Sequence, residues 1–84
     1  MAQFYFHVWR GGHLTPDEVG VALPSLTDAQ GQAERLASSI RDQYEGAPAD
    51  LSGWDIEITD AAGRTFLIVP VGDRGSGSRR SRAA

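Results

Sequence analysis

The chain has 84 residues with eleven acids, eight arginines, no lysine and no cysteine, for a net charge of −3. That length holds one small domain and excludes a second, while the missing cysteines exclude disulfides and thiolate zinc sites. The charge is uneven: residues 1–73 hold all eleven acids and four arginines, a balance of −7, and residues 74–84 carry the other four arginines.

No apolar run approaches the roughly 20 residues that span a bilayer. Met1-Ala2-Gln3 leads directly into alternating residues, without the basic-then-apolar order of a signal peptide. The expectation is a cytoplasmic protein with no membrane contact. A domain this small buries only roughly 60% of its unfolded surface, so self-association is a natural source of extra stability.

The first predicted strand, residues 3–10, has large rings or apolar groups on both faces: Phe4, Phe6 and Val8 point one way, Tyr5, His7 and Trp9 the other. Gly11-Gly12 is the strongest turn signal in the chain. His13 to Asp17 reads as a loop, because Pro16 biases Thr15 away from helix. Glu18 to Leu23 reads as a short second strand with Val19, Val21 and Leu23 on one face. Gly20 weakens it or marks a bulge, and Pro24 closes it.

A helix follows. Ser25 and Thr27 each begin a capping-box pattern, and Ser25 is preferred because it directly follows the strand-ending proline. Leu26, Ala29, Ala33, Leu36, Ala37, Ile40 and Tyr44 recur at helical spacing and form one apolar stripe. Gly31 softens the first turns, and Gly46-Ala47-Pro48 is the stop signal. Trp54 to Thr59 alternates cleanly as a third strand, and Asp60-Ala61-Ala62-Gly63 is a hairpin loop. Thr65 to Val71 is a fourth strand, apolar on both faces, with Pro70 confining its end to an edge or a bulge.

The predicted fold class is therefore α+β: β-β-α-β-β, a four-stranded, mostly antiparallel sheet with one helix packed on one face. Residues 1–72 form the domain and residues 73–84 a disordered Gly/Ser/Arg tail. The helix is expected to cover Phe4, Phe6, Val8, Ile56 and Ile58. Tyr5, His7, Trp9, Asp55, Glu57 and Thr59 share the open face with the outer residues of the last strand.

The runs Phe4-Tyr5-Phe6-His7-Val8, Asp17-Glu18-Val19-Gly20-Val21 and Leu23-Pro24-Ser25-Leu26 are characteristic, as are Ala29, Ala33, Ile56-Glu57-Ile58-Thr59-Asp60 and Gly63-Arg64. On these residues the chain resembles DUF6894, short bacterial proteins of unknown function. The likeness covers roughly residues 3–71, and the arginine-rich tail is an addition to the pattern. The resemblance implies a small single-domain protein and assigns no activity, cofactor or catalytic residue.

The remaining chemistry is sparse. His7 and His13, with Asp17 and Glu18 nearby, do not have the spacing of an established metal site. Asp55 and Glu57 lie two apart on a strand and face the same way, but no nucleophile–base motif or phosphate loop accompanies them. No catalytic, cofactor-binding or metal-binding residue is expected. A sheet displaying Tyr5 and Trp9 is similar to platforms that stack single-stranded bases, yet the −7 balance repels phosphate. Weak nucleic-acid contact through Arg79, Arg80 and Arg82, or an antitoxin-like regulatory role, is the alternative. The preferred reading is a non-catalytic protein–protein interaction module or homodimer, using Tyr5, His7, Trp9, Glu57, Leu67 and Val69 on the open face.

Overall fold

The computed structural model of the chain describes residues 1–44 and 51–72. The predicted helix stop at Gly46 to Pro48 and the predicted tail at 73–84 lie outside the described residues. The fold is α+β: one helix on an antiparallel sheet of five strands, one more than the alternation in the sequence suggests. The strands are β1 (Ala2–Arg10), β2 (His13–Thr15), β3 (Val21–Leu23), β4 (Trp54–Thr59) and β5 (Thr65–Pro70), with the helix α1 (Leu26–Gln43) between β3 and β4. The sheet runs β2-β1-β4-β5, and β3 also pairs with β1.

The extra strand comes from the predicted loop. Gly11 takes φ 65, which suits the first central residue of a two-residue hairpin turn, and the chain returns directly along β1. His13 to Thr15 then pairs with Arg10 to Val8 before Pro16 ends the ladder. The predicted strand from Glu18 to Leu23 is correspondingly shorter. Only Val21 to Leu23 pairs, with Phe4 to Ala2, and Val19 lies in the connecting loop at 80% exposure.

Between the two short strands β1 would leave an unpaired amide at Phe6, and the Asp17 carboxylate accepts it at 3.1 Å. Alternate residues of a strand aim their backbone polar groups to the same side, so Phe4, Phe6 and Val8 present one continuous edge. β3, a side chain and β2 fill that edge in turn. Gly20 makes the re-entry possible. Its φ is +78, and a Cβ there would sit 2.8 Å from Tyr5 Cε2 and 3.1 Å from the Phe4 carbonyl oxygen.

α1 begins where the sequence predicts. Ser25 is the N-cap: its Oγ accepts the Asp28 amide at 3.3 Å and donates to Asp28 Oδ2 at 2.9 Å. Ala29, Ala33 and Ala37 are fully buried. One turn apart and bearing only a methyl each, they let the helix lie close on the sheet. Phe4, Phe6, Ile56, Ile58, Val69 and Val71 complete the core beneath them. Near the helix end, Arg41 Nη1 donates to the Val71 carbonyl at 2.7 Å and ties α1 to the end of β5.

The β4–β5 turn is built by Asp60, whose Oδ1 accepts the amides of Ala62 and Arg64, each at 2.9 Å. Gly63 supplies φ 86. The ladder then shifts register between Ile58 and Thr59: Thr59 pairs with Thr65, but Ile58 pairs with Leu67. Phe66 is the extra residue of this β-bulge, and it packs edge-on to Phe4 with ring centroids 5.7 Å apart. Pro70 sits on an edge strand, as predicted. The Val71 amide donates to the Trp54 carbonyl at 2.9 Å, so Pro70 faces away from β4 and its missing N–H costs no ladder bond.

Candidate interaction face of the sheet

Strand alternation puts Tyr5, His7 and Trp9 on the side away from α1, and all three are half-buried. This differs from the exposed aromatic stripe that the sequence suggests, because the chain's own polar groups hold the rings. Tyr5 and His7 stack nearly parallel, 8° between planes and 6.4 Å between centroids. The Asp17 amide donates to His7 Nδ1 at 2.9 Å. A backbone amide can only donate, so Nδ1 is the acceptor and the ring proton of neutral His7 lies on Nε2. That nitrogen lies 2.9 Å from Oγ1 of Thr59, a buried residue.

Trp9 Nε1–H donates to Glu57 Oε1 at 2.8 Å, and the Thr65 hydroxyl donates to Glu57 Oε2. The carboxylate thus bridges β1 and β5 from the middle of β4. The Thr65 hydroxyl and the Trp9 indole hold Glu57 below the usual carboxylate range, and nearby His7 adds to the effect. Partial desolvation raises Asp17, but the amides of Phe6, Val19 and Gly20 outweigh it and hold this carboxyl below its ordinary value.

Of the six residues named from the sequence, Tyr5, His7, Trp9 and Glu57 do come together on this face. Leu67 and Val69 do not. They pair with Ile58 and Ile56 and pack in or against the core under the helix. The reason is the bulge: inserting Phe66 after Thr65 turns Leu67 and Val69 inward. A strand that is apolar on both faces carries no signal for that choice. Ile68, opposite Glu57, takes the outer position at 55% exposure. Leu14, opposite Trp9 on β2, is 38% exposed at the other rim.

Sequence reasoning placed Thr59 on this face but missed Asp17 and Thr65 as members of the network. A readable signal existed for one of them. Asp17 three residues before Gly20 suits an Asx-type loop, in which a side-chain oxygen accepts local amides. Asp17 Oδ1 accepts those of Val19 and Gly20 at 3.0 and 3.1 Å. His13 pairs with Arg10 and so falls on the helix side of the sheet, opposite to His7. Among the described residues no three His, Asp or Glu side chains are grouped to hold a metal ion, and no helix is long and apolar enough to cross a membrane.

Residues 3–72 match the family model of a domain of unknown function, DUF6894. The chain belongs to this family. No curated protein and no solved structure matches it. The matched span contains β2 to β5, α1 and all of β1 after Ala2. The open-face network therefore lies wholly within the DUF6894 domain.

Proposed function

We propose that this DUF6894 protein is a non-catalytic protein–protein interaction module that docks through the open face of its sheet, with a second copy of itself as the simplest partner. One observation carries the reading. Tyr5, His7 and Trp9 form a row of rings fixed to one another or to Thr59, Asp17 and Glu57, flanked by the exposed Ile68 and Leu14. Rings held in place before a partner arrives lose little side-chain freedom on binding, and Trp and Tyr are the residue types that dominate interface energetics. The absence of cysteine suits a reducing compartment, and we place the protein in the cytoplasm.

Nucleic acid is the less favoured partner. Asp55 and Glu57 lie on the strand that forms the centre of this face, and carboxylates there oppose the phosphate attraction that dominates such binding.

Sedimentation of the full chain over a wide concentration range tests the proposal, with Ile68→Glu as the comparison. Ile68 is outside the hydrogen-bond network, so the substitution is expected to leave the circular-dichroism spectrum intact and to abolish association. Association that persists unchanged in the variant would remove the open face as the contact.

A further inference from the structure

The helix packs against β5, β4 and β3, and the opposite corner of the same sheet face is left as a cleft. Its volume is about 230 Å³, and it is lined by Val8, Arg10, Thr15, Ile40, Gln43, Tyr44 and Trp54. Val8 and Ile40 supply the apolar surface. Tyr44 and Trp54 meet edge to face, with centroids 5.4 Å apart and planes at 74°. Among the described lining residues the charge is Arg10, whose guanidinium carbon lies 5.7 Å from the centre of the Trp54 ring. Its Nη2 donates to the Thr15 hydroxyl at 3.3 Å.

Arg10 is thus held by a ring and a hydroxyl. A guanidinium has five donors in a planar fork that matches a carboxylate, and Arg10 uses one of them on Thr15. An apolar cleft with aromatic walls and a few polar groups at its margin is the usual make-up of a small-molecule site. The volume equals that of about eight waters at ~30 Å³ each, room for one ring-sized body. An inorganic phosphate would gain nothing from Val8, Ile40 or the rings.

We propose that this corner binds a small carboxylic acid with an apolar, ring-sized body: the carboxylate on the Arg10 fork, the body between Ile40, Tyr44 and Trp54. The site is on the opposite side of the sheet from the open face, so it stands or falls independently of the interaction module.

An NMR titration of the ¹⁵N-labelled full chain with sodium benzoate, and separately with benzamide as the uncharged analogue, tests the proposal. Saturable shifts are expected for the Trp54 indole N–H and the Thr15 and Tyr44 amides, with benzamide weaker by about tenfold, the value of one charge-assisted hydrogen bond. Arg10→Gln alters an exposed side chain and is expected to bring benzoate down to the benzamide level. Ile40→Phe keeps the cation but fills the cleft, and should weaken both ligands. Shifts that fail to saturate, or benzoate affinity unchanged in Arg10→Gln, would overturn the assignment.

Discussion

The two faces of this sheet begin from the same strand and are finished by opposite means. Under α1, Phe4 and Phe6 are sealed by three alanines, by Ile56 and Ile58 on β4, and by Val69 and Val71. On the other side, His7 and Trp9 are held by hydrogen bonds to Thr59, the Asp17 amide and Glu57, and Tyr5 stacks on His7. The first face is stable through volume and the second through direction. Dispersion and burial tolerate no gap, but a hydrogen-bonded surface can remain half open and still have fixed side chains. That difference is the ground for proposing the second face as the one that meets another molecule.

The contrast predicts a ranking of damage. Ile56→Ala removes a fully buried side chain and is expected to cost about 2–5 kcal/mol. In a domain this small that approaches the whole stability, and thermal unfolding by circular dichroism will report it. A cost under roughly 1 kcal/mol would mean that the core can collapse around the gap.

Gly20→Ala comes next. It places a methyl against Tyr5 and the Phe4 carbonyl at positive φ, for an expected loss of about 1–3 kcal/mol. Because Gly20 closes the loop that carries Asp17, the variant should also disturb the His7 ring resonances, which Ile56→Ala in a folded fraction should not.

Acid should weaken the open face. Asp17 and Glu57 are both held below their ordinary values. Each therefore adds stability above its unfolded pKa and loses it as the pH falls through the carboxylate range toward the lower folded value. Chemical denaturation at pH 6 and pH 3 should show the decline, and Asp17→Asn should flatten it. That variant also presents one acceptor oxygen where three amides require two, so it should be less stable at pH 6. An unchanged pH slope in Asp17→Asn would assign the acid sensitivity elsewhere.

Trp9→Phe is the mildest change. It removes one hydrogen bond to Glu57 but keeps the Thr65 bond, for an expected cost of about 1 kcal/mol. A larger loss would show that Trp9 contributes more by packing than by its indole N–H.

Much of this fold was legible in the sequence because local chemistry decided it. The Ser25 cap, the alanine stripe, the β4 alternation and the Asp60–Gly63 turn each lie within a few residues of the groups that satisfy them. The inward set of β1 and β4 was readable for the same reason, since alternation has a period of two. Four of the six residues named for the open face, Tyr5, His7, Trp9 and Glu57, followed from that alternation.

The rest was settled by contacts between residues far apart in the chain. Whether His13 to Thr15 is loop or strand depends on an available edge of β1. Whether Leu67 and Val69 face in or out depends on one bulged residue, Phe66, packing edge-on to Phe4 some sixty positions earlier. Pattern alone could not choose, because both sides of β5 are apolar. The change of the open face from an exposed stripe to a bonded network likewise required Asp17 and Thr59 to reach His7 on β1, and Thr65 to hold the Glu57 carboxylate that accepts from Trp9. The sequence alone determined the helix and the longer strands β1, β4 and β5, because propensity, caps and turns act over a few residues. Tertiary structure alone decided which side of β5 is buried and which polar atoms hold the rings, because register and hydrogen-bond pairing are properties of strands already assembled.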